Sequence, residues 1–204
     1  CPWCHRALIV SKLKKSSKIK KIFLKPNFQN GEWKFNDNFY GSKTLTDIYN
    51  KLSKEKVLRP TVPILLKETN KKLEVVSNES SEIIEILNSK DRQEKEELIE
   101  LCCEKQVLNN IHNEINNGVY KCGFARNQKA YEKASEDLFS ALNTIEEHLQ
   151  LNGPWLCGKN LSIADIRLFP TLIRWEAIYY PLFKCSNKPI KSFPNIIKWR
   201  KKIF

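Results

Sequence analysis

The chain has 204 residues, 41% hydrophobic and 28% charged, a balance that supports a packed core and excludes a disordered chain. No apolar run approaches the roughly 20 residues of a membrane-spanning helix, so no membrane association is expected. The net charge is +12, and residues 1–90 hold 18 basic and 9 acidic side chains against 17 and 14 in residues 91–204. That excess clusters at Lys12, Lys14, Lys15, Lys18, Lys20 and Lys21 without interleaved arginines and aromatics, which fits a solvated helix end and loop, with nucleic-acid binding as the lesser alternative.

The first ninety residues alternate in type. Cys4 to about Lys14 carries Leu8, Ile9 and Leu13 at helical spacing, and Ile19 to Leu24 is a short β-branched and aromatic run expected to be a strand. Asn27 to Gly41, rich in Asn and Gly, reads as a loop. Thr44 to Ser53 has Leu45, Ile48, Tyr49 and Leu52 on one helical face. Thr61 to Leu66 and Leu73 to Val76 read as strands, with a tight turn at Thr69-Asn70-Lys71. Ser80 to Asn88 is a helix with Ile83, Ile84 and Leu87 inward. The predicted order is α-β-α-β-β-α.

After Lys90 the strand patterns stop. Asp91 to Ile115 reads as one helix capped by Asn117-Gly118. Asn127 to Leu151 has an apolar stripe of Ala134, Leu138, Leu142, Ile145 and Leu149, and Asn152-Gly153-Pro154 breaks it. Ser162 to Tyr180 and Pro194 to Ile203 are two further helices. Ser162 and Asp165 form a capping-box variant, so Asp165 is expected to be structural and not catalytic. Two domains follow, 1–90 mixed α/β and 91–204 all-helical, joined by a charged stretch near Ser89 to Glu97.

Seven cysteines, at 1, 4, 102, 103, 122, 157 and 185, do not have the spacing of a small disulfide scaffold. A reducing compartment, such as the cytoplasm, is expected, and the sequons at Asn78 and Asn160 are then chance matches. The chain opens on Cys1 and not on Met, so a fragment or processed product is expected, with any targeting segment outside it.

Cys1-Pro2-Trp3-Cys4-His5-Arg6 opens the first helix. A structural zinc site lacks a second cysteine pair. A c-type haem site fits C-x-x-C-H, but the chain holds no Met for the usual second axial ligand. The third reading is a nucleophilic cysteine at a helix N-terminus, where unpaired N–H groups and the macrodipole favour thiolate. Pro2 sits there without loss of a hydrogen bond, and Arg6 could add positive potential. Cys1 would be the exposed sulfur. Cys4, inside the first turn, is either a small packed residue or a resolving thiol.

Three more stretches suit a thiol enzyme with a peptide-like cosubstrate. Thr61-Val62-Pro63 is either an edge-strand proline or, with a cis bond, a backbone free to pair with an extended peptide. At Asn78-Glu79-Ser80-Ser81-Glu82 a strand hands over to a helix start that can hold a carboxylate, while Glu79 meets an amino group. Trp33, in Gly31-Glu32-Trp33-Lys34-Phe35, is either a local plug or a lid.

These motifs, with Asn116-Asn117-Gly118-Val119-Tyr120-Lys121, Gly123-Phe124-Ala125, Arg167-Leu168-Phe169-Pro170-Thr171-Leu172, Tyr179 with Phe183-Lys184-Cys185, and Phe193-Pro194-Asn195, resemble the Xi-class glutathione transferases, the glutathionyl-hydroquinone reductases. The resemblance covers nearly the whole chain. It implies a thioredoxin-like domain followed by an all-α glutathione-transferase domain, usually dimeric, with glutathione as cosubstrate and no metal. It implies Cys1 as nucleophile, Glu79 and Ser80 on the γ-glutamyl end of glutathione, Val62 on its backbone and Trp33 along the tripeptide. Tyr120 and Tyr179 would face the hydroquinone; each could equally be a core aromatic with a satisfied hydroxyl. The chain departs from the class pattern in having Cys4 where alanine is expected and Leu182 where histidine is common. The strand that precedes the active-site helix in a thioredoxin fold is missing, so the sheet is expected to lack a central member. A dithiol glutaredoxin-like or omega-type thiol transferase, with Cys4 resolving Cys1, is the alternative enzyme, and a non-catalytic binding module with a basic surface is the alternative from outside enzymology.

Overall fold

A computed structural model describes residues 1–14, 19–27, 29–52, 60–89 and 105–204. Contacts divide the chain into two compact units. One comprises Cys1, Trp3 and Ala7–Leu87, the other Pro2, Cys4–Arg6 and Asn88–Phe204.

The first unit holds most of α1 (Pro2–Leu13), then β1 (Lys25–Asn27), β2 (Glu32–Phe39), β3 (Ser42–Thr44), α2 (Leu45–Leu52), β4 (Leu65–Thr69), β5 (Lys72–Ser77) and α3 (Ser80–Asn88). The strands form two separate antiparallel sheets, β1-β2-β3 and β4-β5. Val10, Leu45, Ile48, Tyr49, Ile83 and Ile84 are its buried apolar side chains. Thr44 caps α2 locally: the Asp47 carboxylate accepts the Lys43 and Thr44 amides, each at 2.9 Å, and Thr44 Oγ1 accepts the Asp47 amide at 3.2 Å. The β4–β5 turn places Asn70 and Lys71 at φ of 51° and 62°, the left-handed pair that a two-residue hairpin demands.

Three expectations fail here. Ile19 to Leu24 has no regular structure, and the strand begins at Lys25. The segment read as the loop Asn27 to Gly41 is instead largely β2, which pairs Lys34 with Lys25 and with Thr44. Cross-strand pairing at the two-residue turn Tyr40-Gly41, with φ of 50° and 72°, outweighs the poor strand propensity of its Asn, Asp and Lys residues. The observed order is therefore α-β-β-β-α-β-β-α. The second strand run also starts later than expected, at Leu65.

The second unit is helical. It contains α4 (Lys105–Asn110), a π turn at Ile111–Asn116, α5 (Gly118–Gly123), α6 (Gln128–Asn152), α7 (Ile163–Leu172), a second π turn at Trp175–Tyr179, the short α8 (Tyr180–Leu182), a 3₁₀ turn at Ile190–Ser192 and α9 (Pro194–Ile203). The α6 stripe is buried at Ala134, Leu138, Leu142, Ile145 and Leu149, and Asn127 caps the helix by accepting the Ala130 amide at 2.9 Å. Every residue of α7 is buried. Its capping box is present: Ser162 Oγ accepts the Asp165 amide and the Asp165 carboxylate accepts the Ser162 amide.

Further expectations are corrected. Of the helix expected at Asp91 to Ile115, residues 91–104 lie outside the described residues, and the rest changes from α to π at Ile111. Gly118 does not cap that helix but starts α5, packed so that a Cβ would meet Leu138 Cδ1 at 3.3 Å. Ser162 to Tyr180 is not one helix: α7 ends after Pro170, whose missing N–H weakens the ladder, and a π turn follows. Among the described cysteines, Cys1, Cys4, Cys122 and Cys185 are free and Cys157 is disulfide-bonded, so the expectation of reduced thiols does not extend to Cys157. Cys102 and Cys103 lie outside the described residues. No helix among the described residues is long and apolar enough to cross a membrane.

Candidate active site

Cys1 is the N-cap of α1, with Pro2 in the first turn, and no side chain caps that end. The positive end of the α1 macrodipole therefore lies at the cysteine end of the helix. Cys1 is exposed, and its Sγ lies 3.9 Å from the Val62 carbonyl oxygen. The Val62–Pro63 bond is cis. The segment before it is anchored from α2, where the Tyr49 hydroxyl donates to the Thr61 carbonyl at 2.8 Å. Cys1 and Val62 are thus brought together in the first unit by a helix start and a tethered strand entry.

Glu79 and Ser80 stand at the start of α3, Glu79 exposed and Ser80 buried. The Glu79 carbonyl accepts the Ile83 amide at 2.9 Å, and its own amide donates to Ser77 Oγ at 3.1 Å. Ser77 Oγ donates in turn to Glu82 Oε2 at 2.6 Å. Ser77 was missed in the sequence; a serine five residues before an acidic first-turn position was the available signal. Trp33 lies half-buried on β2 opposite Pro26, so it belongs to a strand and not to a loop.

In the second unit each of the two tyrosines follows or ends a π turn, an element concentrated at functional positions. Tyr120 is on α5, just after the first π turn, and Tyr179 closes the second. Buried Asn116 ties the first π turn to α7: its amide donates to the Arg167 carbonyl at 3.1 Å, and its oxygen accepts from Thr171 Oγ1 at 2.6 Å. The Tyr120 and Tyr179 hydroxyls lie 3.5 Å apart, with ring centroids at 6.0 Å. Phe183 packs edge-on against both rings at 5.4 Å and against Phe124 at 5.5 Å. Gly123 makes this approach feasible, because a Cβ there would collide with the Phe183 ring. Phe124 and Leu182 are 71% and 68% exposed, leaving an apolar rim. Burial, then the hydrogen bond with Tyr120, pushes the Tyr179 hydroxyl well above the ordinary tyrosine value, so Tyr179 stays protonated and can donate.

Cys4 is half-buried, and burial raises its thiol above the ordinary value. Arg6 does not face solvent: it is 1% exposed and donates to the Arg167 carbonyl at 3.1 Å. Burial, then the Arg167 charge, lowers it to about 9. His5 is held below its ordinary value by burial, then by Arg174. Arg174 had drawn no attention in the sequence, where it looks like one more helix-surface cation. Cys185 is buried, and the hydrogen bond with Cys122, then burial, raises its thiol. Among the described residues no cluster of His, Cys, Asp and Glu could hold a metal ion.

The chain is thus built as an α/β unit that opens on a helix with an exposed cysteine at its start, followed by a helical unit. Residues 1–90 match the family described as Glutathione S-transferase, N-terminal domain, and residues 128–202 the Glutathione S-transferase, C-terminal domain. Glutathionyl-hydroquinone reductase PcpF of Sphingobium chlorophenolicum is 37% identical over 96% of this chain, which spans 66% of that protein's length. The glutathione-bound structure of YqjG, a glutathione transferase homologue from Escherichia coli K-12, superposes with a TM-score of 0.87 at 34% identity, over 100% of this chain and 70% of the other. Glutathione transferase Xi 1 from Trametes versicolor gives 0.88 at 34% identity, over 100% and 76%. The chain belongs to the glutathione transferase family, in its Xi class, with a thioredoxin-like N-terminal domain and a helical C-terminal domain.

Proposed function

We propose that this protein is a glutathionyl-hydroquinone reductase whose nucleophile is Cys1. The observation that carries the reading is the exposed Cys1 thiol at an uncapped helix N-terminus, 3.9 Å from the Val62 carbonyl. The Cys1 thiolate attacks the glutathionyl sulfur of the conjugate. The new S–S bond joins Cys1 to glutathione, the carbon–sulfur bond breaks, and the ring carbon takes a proton to give free hydroquinone. A second glutathione thiolate then attacks the mixed disulfide, releasing oxidised glutathione and free Cys1.

Val62 presents its backbone to the cysteinyl part of glutathione, Glu79 and Ser80 receive its γ-glutamyl end, and Trp33 lies along it. Glu79 fits an amino group because it is an exposed acid, and the adjoining α3 N-terminus supplies N–H groups for a carboxylate. Tyr120 and Tyr179 bind the hydroquinone through their hydroxyls. Cys4 is a packing residue, since its half-burial and raised thiol oppose a resolving role. The protein acts as a homodimer, without metal, nucleic acid or membrane.

Cys1→Ser tests the assignment. Release of hydroquinone should fall to background while glutathione still binds in a calorimetric titration. Substantial turnover in the variant would remove Cys1 from the mechanism. Faster turnover of hydroxyethyl disulfide than of a glutathionyl-hydroquinone by the unsubstituted enzyme would favour an omega-type thiol transferase.

A further inference from the structure

β5 ends on a serine that the regular alternation of a strand would turn outward. Val75 and Val76 are both exposed, at 43% and 41%, whereas Ser77 is buried. Leu66 pairs with Val75 and Leu65 with Ser77, so Val76 is the extra residue of a bulge. Successive strand residues face opposite sides, and one inserted residue reverses that order. The bulge thus brings the Ser77 side chain inward, where its hydroxyl finds two partners at the start of α3. Oγ accepts the Glu79 amide at 3.1 Å and donates to Glu82 Oε2 at 2.6 Å. An acid at the third helical position, as Glu82 is in α3, ordinarily accepts the amide before the helix directly. Here a strand hydroxyl stands between the two and joins the helix start to the sheet. The same register holds both arms of the proposed glutathione site, since Leu65 comes three residues after Val62 and Ser77 two residues before Glu79. All of these residues belong to the first unit.

We propose that Ser77 is a positioning residue for glutathione: its bridge from the Glu79 amide to the Glu82 carboxylate fixes the backbone from which the Glu79 side chain meets the γ-glutamyl amino group. The proposal rests on the reading of the α3 start as the γ-glutamyl site. Glu79 is exposed, so no packing orders its side chain, and its aim depends on how firmly its own backbone is held. Ordering a loose backbone and a long side chain at the moment of binding costs affinity, and a segment already held in place avoids that cost. Ser77 does this without touching the ligand.

The test is calorimetric titration with glutathione and with its des-amino analogue, in which a glutaryl group replaces the γ-glutamyl group. Ser77→Ala should weaken glutathione binding on the order of fivefold to tenfold, with the affinity for the analogue little changed. Glu82→Ala, which removes the acceptor of the hydroxyl, should shift the two ligands in the same sense by a smaller factor. In a Glu79→Ala background Ser77→Ala should add little, because the group it positions is gone. Equal losses on glutathione and on the analogue would mean a structural role and overturn the proposal. An unchanged glutathione affinity in Ser77→Ala, with a weakened one in Glu79→Ala, would overturn it while leaving the γ-glutamyl reading in place. Should Ser77→Ala fail to fold, Glu82→Ala decides: a variant that binds both ligands as the unsubstituted protein does, or loses both equally, would overturn the proposal. Glutathione bound as tightly by Glu79→Ala as by the unsubstituted protein would overturn the γ-glutamyl reading and this proposal together.

Discussion

Cys1 and Cys4 sit three residues apart on α1, yet their surroundings give them different chemistry. Cys1 is exposed at the helix start, while burial raises the Cys4 thiol. A thiol held above its ordinary value carries little thiolate near neutrality and attacks a mixed disulfide slowly. Cys4→Ala should therefore retain most hydroquinone-releasing activity, and intact-mass analysis of the glutathionylated unsubstituted protein should show the adduct persisting. Loss of the adduct without added glutathione, with an internal disulfide appearing, would make Cys4 a resolving thiol. The difference between the two thiols was partly legible from position alone, since a residue before the first turn and one inside it meet different solvent. Arg6 was not legible. Its place in sequence suggested a cation near Cys1, but its guanidinium turns to the Arg167 carbonyl, a partner 161 residues away.

At the scale of elements, α7 shows how a local signal becomes a tertiary one. The Ser162–Asp165 box could be read from four consecutive residues. Asp165 in the fold also accepts the Leu156 amide at 3.0 Å and Trp199 Nε1 at 2.6 Å, besides Ser162 Oγ at 2.6 Å. It is fully buried, so removing it orphans donors from three segments. Asp165→Ala should destabilise the protein by about 3–5 kcal/mol in urea unfolding; a loss under about 1 kcal/mol would mean that those donors find other partners. The second π turn is tied to α9 by a bidentate pair, Arg200 Nη1 and Nη2 to Glu176 at 2.6 and 2.8 Å. Arg200 holds the Glu176 carboxyl below its ordinary 4.5. A depressed acid stabilises the fold fully above its unfolded-state value and loses that contribution as pH falls through the folded value. Glu176 is 54% exposed, so solvent screening keeps the effect under about 1 kcal/mol. Glu176→Gln should be less stable than the unsubstituted protein at pH 7, and the gap should close as pH falls below 4.5. A gap that widens in acid would show the opposite sign and discard the pair as a stabiliser.

For the whole molecule, the expected homodimer is checked by sedimentation at micromolar concentration: a species near twice 23.9 kDa is the expected outcome, and a monomer across the range would discard it. The sequence by itself determined the helices with strong stripes, α2, α3, α6 and α9, because an apolar face repeating every three to four residues has one favourable solution in water. It also determined the family, through short strings whose residues carry chemistry. Only the tertiary structure decided the β1-β2-β3 sheet, because Lys34 finds Lys25 and Thr44 through backbone pairing that its own side chain does not announce. The two π turns belong to the same class. Their hydrogen-bond register depends on what the turn packs against, as buried Asn116 does between Arg167 and Thr171, and no periodicity in the chain encodes such a partner. The Tyr120–Tyr179 pair arises from those turns, so the aromatic half of the candidate site was legible as residue types and became an arrangement only in the fold.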